Sequence, residues 1–482
     1  MFNVKGIFRI LGSLLIVECL CMLISALVGA CYDDGGTMPL LQPALITFAA
    51  GGLLVAFTRN AERKIHRNDG FIIVTMVWIL FSFFGSLPYL LSGGVHSLAD
   101  AFFETMSGFT TTGSSILNNI EALPHGILFW RSLTQWLGGM GIIVLSLAIL
   151  PIFGIGGMQL FSAEVPGPVT DKINPKIQAT AKYLWLLYLG FTLLETILLW
   201  IGGMSLFDAV NHSFTTMATG GYSTKQDSIA HWDSAYIQYV IILFMIIAGT
   251  NFALMYGVII GEVKKLVSNE EFRFYIGFIA VFTVLVGVGL YLTTGMGGEK
   301  SFRDALFQVV SIITTTGFAT TDYMLWKPIL IVLIFAAFFL GGSAGSTGGG
   351  IKIMRIVLLL KNSYYELRRM LHPNAVIPVR HNGRAVPQPV ITNVLAFFMI
   401  YILIFTGSTL VFTWFEPDLA TAMSAVATSL GNIGPGLGEL GPAHNFAVIH
   451  DGGKWFLSFL MLLGRLELFT VLVLFSPAFW KK

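Results

Sequence analysis

Long apolar stretches alternate with short polar ones along the whole chain. Apolar runs of spanning length lie at about 10–30, 39–58, 71–92, 126–153, 182–202, 235–261, 274–296, 328–360, 389–413 and 454–479. About 20 helical residues cross a bilayer core of about 30 Å, so ten transmembrane helices are predicted. Four further segments, at about 98–112, 206–219, 302–316 and 418–433, are too short to span and too apolar for ordinary loops. Each lies between two full spans, and all four lie on the same side. A half-helix of about 12 residues rises roughly 18 Å, which carries the chain to about mid-membrane. Three of these segments open with Asp100-Ala101, Asp208-Ala209 and Asp304-Ala305, and the fourth with Thr421-Ala422. Aspartate is a favoured helix N-cap and threonine a weaker one, so these residues are expected to start the half-helices.

Each half-helix runs into a polar strip built around a glycine. The strips are Thr110-Thr111-Thr112-Gly113, Met217-Ala218-Thr219-Gly220, Thr314-Thr315-Thr316-Gly317 and Gly431-Asn432-Ile433-Gly434, with the glycines 107, 97 and 117 residues apart. A recurrence near every hundred residues implies one unit used four times around a common axis. Non-helical backbone at membrane depth survives only where protein or water covers it. The strips are therefore expected to line a pore. Glycine permits dihedrals that aim carbonyls at the axis, and threonine hydroxyls add oxygens. Oxygen cages suit hard cations, and strips without a carboxylate ring favour a monovalent ion over calcium or magnesium. Small residues also promote close helix packing, but four strips in equivalent positions argue for a shared site.

Composition agrees with the membrane assignment: 55% of the 482 residues are hydrophobic and 11% charged, against about 25% charged in soluble domains. A net charge of +2, with basic residues in scattered loops, is too small to argue for a nucleic-acid partner, and none is expected. On the predicted topology 21 basic residues fall on one side and six, Arg131, Lys225, Lys300, Arg303, Lys327 and Lys454, on the other. By the positive-inside rule both termini are cytoplasmic. The three cysteines, Cys19, Cys21 and Cys31, form neither a disulfide framework nor a metal cluster, and no structural metal is expected. Val28-Gly29-Ala30-Cys31 resembles a lipoprotein cleavage site. The 21-residue run before it is longer than a usual signal core and reads as a retained helix.

Together the motifs Gly108-Phe109-Thr110-Thr111-Thr112-Gly113-Ser114-Ser115, Met217-Ala218-Thr219-Gly220-Gly221-Tyr222-Ser223-Thr224, Thr314-Thr315-Thr316-Gly317-Phe318 and Gly431-Asn432-Ile433-Gly434-Pro435-Gly436 are highly specific. The chain resembles the Trk/Ktr/HKT superfamily of potassium transporters, and within it the bacterial TrkH/TrkG branch. The resemblance implies an all-α integral membrane protein of the bacterial inner membrane, a pseudo-four-fold, channel-like set of repeats preceded by two extra helices. The units run from 1–70 (the extra helices) through 71–160, 161–265 and 266–385 to 386–482. It implies a potassium filter at Thr111, Thr112, Gly113, Thr219, Gly220, Thr315, Thr316, Gly317, Asn432, Ile433 and Gly434. Glycine at all four key positions, where sodium-favouring relatives carry serine at the first, points to potassium. The fourth strip offers backbone and amide oxygen in place of hydroxyls.

The eighth apolar run is interrupted by Gly341-Gly342-Ser343-Ala344-Gly345-Ser346-Thr347-Gly348-Gly349-Gly350. Each glycine costs a helix about 1 kcal/mol relative to alanine, so the helix breaks there. The break is placed beneath the pore, and the resemblance implies a gate. A passive hinge is the alternative. Arg465, midway along the last span, is too costly to face lipid and is expected to face pore water. The resemblance implies an arginine facing the conduction path, able to hold the gate through its carbonyls. Glu467, two positions on, lies on another helix face and is a poor partner for it. Lys352 and Arg355 either anchor the loop or are ordinary inner-side charges, and Glu18, Glu104 and Glu195 receive no role.

Gly341-Gly342-Ser343-Ala344-Gly345 matches a nucleophile elbow, yet no histidine is expected at mid-depth to activate Ser343, so an enzyme is not expected. No phosphate-binding loop sequence is present. A broken-helix carrier for another solute remains the rival function. The inner loop at about 361–388, with five basic residues, suits docking. The resemblance implies a homodimer partnered by cytosolic TrkA-type nucleotide-binding subunits, with potassium as permeant ligand, membrane lipid around it and no organic cofactor.

Overall fold

The structure is a computed structural model describing residues 2–60, 66–141, 177–372 and 374–481. It is helical apart from one two-stranded hairpin, in which Arg380 pairs with Ala385 and His381 with Arg384. Two long helices, Val4–Tyr32 and Met38–Phe57, come first. After them the same order of elements recurs four times: long helix, half-helix, strip, short 3-10 turn and return helix. The long helices are Arg67–Gly85, Ile177–Ile201, Glu270–Thr294 and Gln388–Phe412. The return helices begin at His125, Ala235, Pro328 and Asp451.

Among the described residues six helices are long and apolar enough to cross a membrane, or eight if two bent pairs each count as one span. The bent pairs are Ala235–Ala248 with Phe252–Ile259 and Asp451–Arg465 with Phe469–Phe475, each turning by 108°. Continuous helices were expected over 235–261 and 454–479, and the chain instead breaks at 249–251 and 466–468. The 328–360 run likewise divides into Pro328–Ala337 and Ile353–Leu371, as its glycines require. The expected span 126–153 is helical over His125–Gly139, and its end at 142–153 lies outside the described residues. So do five of the 21 basic residues counted on one side, Arg63, Lys64, Lys172, Lys176 and Lys482.

The half-helices are Leu98–Phe109, Leu206–Met217, Gly298–Ile313 and Leu419–Gly431, of 12, 12, 16 and 13 residues. Each is buried along most of its length, because neighbouring elements enclose it on all sides. Their caps differ from the expectation. Ser97 and Ser205 are the N-caps, accepting from the amides of Ala99 at 3.1 Å and Asp208 at 3.0 Å. Asp418 caps the fourth, accepting from the Thr421 amide at 2.8 Å. The third begins at Gly298, leaving Asp304 well inside the helix. A cap residue must sit outside helical dihedrals, whereas Asp100, Asp208 and Thr421 stand three positions further on. Their side chains tie the half-helices to neighbours instead: Asp100 to Lys454 at 2.5 Å and Asp208 to the Thr224 hydroxyl at 2.6 Å.

Two large apolar clusters hold the assembly. One joins the first two helices to the first half-helix and the Asp451–Arg465 helix, and the other joins the second, third and fourth units. The chain ends meet, with the ring of Phe2 5.5 Å from that of Phe479.

Candidate ion-conducting site

The four strips share one backbone conformation. Thr111, Thr219, Thr315 and Asn432 all have left-handed φ, at 53°, 53°, 58° and 53°. Two residues later Gly113, Gly221, Gly317 and Gly434 have φ of 85°, 74°, 82° and 110°. The intervening amides of Thr112, Gly220, Thr316 and Ile433 each donate five residues back into the half-helix. Gly221, absent from the sequence-expected set, is thus the conformational match of Gly113, and Gly220 matches Thr112. The doublet Gly220-Gly221 concealed this, because residue type alone cannot choose between adjacent glycines. Left-handed β-branched residues cost about 1–3 kcal/mol each, and such strain concentrates at functional sites.

The strips close into a ring. A Cβ on Gly113 would overlap the Gly220 carbonyl oxygen, one on Gly221 that of Thr316, and one on Gly317 that of Ile433. A Cβ on Gly434 would stand 2.9 Å from the Thr112 carbonyl oxygen. Strip one therefore meets two, two meets three, three meets four and four meets one. Gly113, Gly221, Gly317 and Gly434 together line a single cavity of about 600 Å³ including open space.

Each seam carries hydrogen bonds. Between strips one and two, the Gln135 amide donates to the Gly220 carbonyl at 2.7 Å and the Tyr222 hydroxyl to the Glu104 carbonyl at 2.6 Å. Between two and three, the Ala319 amide donates to the Ser228 hydroxyl at 3.2 Å. Between three and four, the Tyr323 hydroxyl donates to the Gly436 carbonyl at 2.7 Å. Between four and one, Ser114 donates to the Gly434 carbonyl and the Asn432 amide to the Thr112 hydroxyl, both at 2.9 Å.

The hydroxyls are largely engaged within the protein. Thr110 pairs with Thr112 and Thr314 with Thr316, both at 2.8 Å, and Thr315 accepts from the Gly349 amide at 2.7 Å. Thr219 donates to the Ala218 carbonyl at 2.6 Å. The buried Thr111 hydroxyl and the Asn432 amide oxygen have no hydrogen-bond partner among the described residues. Oxygens left over at the ring are thus mainly backbone carbonyls.

Glu104 and Arg131 lie behind the first strip. Their ion pair, at 2.7 Å, is almost fully buried. The Glu104 carboxylate also accepts from the Ser115 hydroxyl at 3.0 Å and the Ile116 amide at 2.9 Å. Arg131 donates to the Ser223 carbonyl at 2.8 Å, its guanidinium 3.6 Å from the centre of the Tyr222 ring. Arg131 was expected as an outer-side charge. It is interior, and its partner 27 positions away in sequence could not be chosen without the fold.

Beneath the ring runs the loop 341–352. Thr347 donates through its hydroxyl to the Met217 carbonyl at 3.0 Å and the Ala248 carbonyl at 3.1 Å, and the Ser343 amide donates to the Gly249 carbonyl at 2.8 Å. The Ala248 and Gly249 carbonyls are freed where the second return helix breaks, and that of Met217 where the second half-helix ends. A Cβ on Gly349 would stand 2.5 Å from the Gly431 carbonyl oxygen, so glycine is needed for this close approach. The loop thereby touches strips two, three and four. Arg465 ends its helix and bridges the loop to the first unit, donating to the Thr347 carbonyl at 2.9 Å, to Gly139 at 3.1 Å and to Gly138. Glu467 lies in the break after that helix, with left-handed φ, and not on a further helix face as expected; there it pairs with Arg355, and Lys352 donates back to the Gly348 carbonyl. Among the described residues the buried Ser343 hydroxyl has no hydrogen-bond partner.

A family model described as TrkH, cation transport protein, matches residues 37–482. The chain belongs to this family. It is 42% identical over 483 residues to the Trk system potassium uptake protein TrkH of Escherichia coli K12, covering 99% of each chain. It is 34% identical to TrkG of the same organism, again over 99% of both. The crystal structure of the potassium transporter TrkH from Vibrio parahaemolyticus superposes with a TM-score of 0.90 at 39% identity, covering all of both chains. Membership makes the chain a transport protein, and its apolar helices make it a multi-pass membrane protein.

Proposed function

We propose that the chain admits potassium across the bacterial cytoplasmic membrane through the four-strip ring, with the loop 341–350 and Arg465 as its gate. The observation that carries this reading is the closed ring itself, in which one glycine of every strip faces one cavity. Carbonyls held at fixed separation replace the hydration shell of an alkali cation, and the seam hydrogen bonds keep that separation. The ring residues are Thr111, Thr112, Gly113, Thr219, Gly220, Thr315, Thr316, Gly317, Asn432, Ile433 and Gly434, to which the shared conformation adds Gly221. Relatives named as potassium uptake proteins support the choice of ion.

In this reading ten spans place both termini in the cytoplasm. The two N-terminal helices precede four pore repeats at 71–160, 161–265, 266–385 and 386–482. The basic stretch 361–388 receives cytosolic TrkA-type nucleotide-binding subunits, and the chain works as a homodimer.

The test is rubidium-86 uptake in cells lacking other potassium uptake systems, comparing the intact chain with Gly113→Ser and Gly317→Ser. Intact protein is expected to support uptake, and both variants to lose discrimination against sodium. Equal potassium preference in all three refutes the filter. No alkali cation uptake by well-inserted protein favours the rival carrier for another solute. Deleting Ser343 to Gly348 is expected to raise basal flux, and unchanged or abolished flux assigns the loop a scaffold role.

A further inference from the structure

The loop 341–350 is held at Thr347 by Arg465 and at Ala344 by the start of the Glu270–Thr294 helix. Asn269 caps that helix, accepting from the Phe272 amide at 3.0 Å. The next two residues are both glutamates, and neighbours on a helix point about 100° apart. Glu271 faces the loop and is 2% exposed. One of its oxygens accepts from the Ala344 amide at 2.6 Å and the Met354 amide at 3.3 Å. A single carboxylate thus ties the middle of the loop to the first turn of the helix that leaves it.

Glu270 faces the hairpin. Its carboxylate accepts from the Asn382 amide at 2.9 Å and from Lys361 at 2.7 Å, while its own amide donates to the Asn382 side chain at 2.8 Å. Asn382-Gly383 forms the turn, with φ of 47° and 76°, the pairing expected of a tight two-residue hairpin. Flanking it, Val379 and Val386 pack with Met354, Leu358, Ile391 and Val394 in a separate apolar cluster that Ala344 of the loop also joins. Hairpin and loop therefore share two independent connections, one polar through adjacent glutamates and one apolar through Ala344.

Resting on the reading of 341–350 as a gate, we propose that the hairpin around 379–386 is the handle of that gate and Glu271 the positioning residue that transmits its movement. A seated hairpin holds the first turn of the Glu270–Thr294 helix and the apolar cluster in place, and both hold Ala344. A cytosolic protein that grips the exposed hairpin and draws it away releases Ala344 and lowers the cost of moving the loop. The transmission needs no contact between that protein and the membrane-embedded strips.

The experiment measures rubidium-86 flux into liposomes holding the full-length purified chain without any partner protein. Four variants are compared: Glu271→Ala, Glu271→Gln, Gly383→Val and the deletion of Ser343 to Gly348. A Cβ at Gly383 meets nothing within 4 Å, so a β-branched residue there is strained by the positive φ and not by a clash at its Cβ. Glu271→Ala and Gly383→Val are each expected to raise basal flux about tenfold, equivalent to about 1.4 kcal/mol. The potassium-to-sodium ratio should stay native. Glu271→Gln should raise flux less, because an amide oxygen still accepts from Ala344 and Met354. If the deletion raises flux while Glu271→Ala and Gly383→Val remain native, the handle is refuted and the gate stands. If the deletion does not raise flux, the gate fails and the handle with it. Should Glu271→Ala fail to insert, hydrogen exchange at the Ala344 amide in Gly383→Val decides: faster exchange supports the link and native protection overturns it.

Discussion

Replacing Arg465 separates two ways in which one cation can hold back flux. Its guanidinium joins the Thr347 carbonyl of the loop to the carbonyls of Gly138 and Gly139 at the end of the first return helix. Moving the loop breaks the Thr347 bond and leaves the other two. A hydrogen bond to a charged group contributes about 1.5–3 kcal/mol, or roughly 10- to 150-fold in the ratio of closed to open states. Arg465 is partly exposed, and screening by water places the effect near the lower end, about tenfold. The same positive charge also repels cations below the ring, which lowers their occupancy without any bond to the loop. Arg465→Lys distinguishes the two, since it keeps the charge and loses the planar fork that spans three carbonyls. In rubidium flux into liposomes, bridging predicts that Arg465→Ala and Arg465→Lys both raise basal flux, the alanine variant by about tenfold or more. Repulsion alone predicts a native lysine variant. Flux at or below native in well-inserted Arg465→Ala refutes both.

Arg131→Ala strands the Glu104 carboxylate in a buried site, a loss of about 3–5 kcal/mol in general, while the Glu104→Gln/Arg131→Met pair should be milder. Thermal unfolding in detergent checks this, and a double variant as damaged as Arg131→Ala overturns it. Gly221→Ala should impair discrimination against sodium as Gly113→Ala does, because each new Cβ overlaps a neighbouring strip's carbonyl oxygen; native selectivity in Gly221→Ala removes that residue from the ring. Partial burial pushes the Asp34 carboxyl up, but hydrogen bonds from the His125 amide and imidazole and the Gly36 amide outweigh it and hold it below the ordinary range. A depressed carboxyl stabilises the fold above its unfolded value of about 3.9 and stops doing so as pH falls through the lower folded value. Asp34→Asn should therefore melt below native protein at neutral pH and converge with it in acid; a gap that persists at low pH contradicts the assignment.

Period and composition by themselves determined the membrane class, the four half-helices, the strips that follow them and the break at 341–350. These depend on local quantities: apolar length against bilayer thickness, glycine against helix, and recurrence along one chain. The caps escaped because Ser97, Ser205 and Asp418 are set by where the chain enters the helix, a matter of dihedrals that residue preference alone does not order. That Gly221 shares the conformation of Gly113 escaped for a related reason: adjacent glycines are chemically identical, and only φ distinguishes them. Tertiary structure alone decided the rest. It brought Glu104 to Arg131, closed strip four onto strip one across 320 residues, and broke two return helices, so that the freed carbonyls of the second receive the loop and Arg465 at the end of the fourth reaches it. Such contacts join residues far apart in sequence, and their energies depend on distances that exist only once the apolar helices have packed.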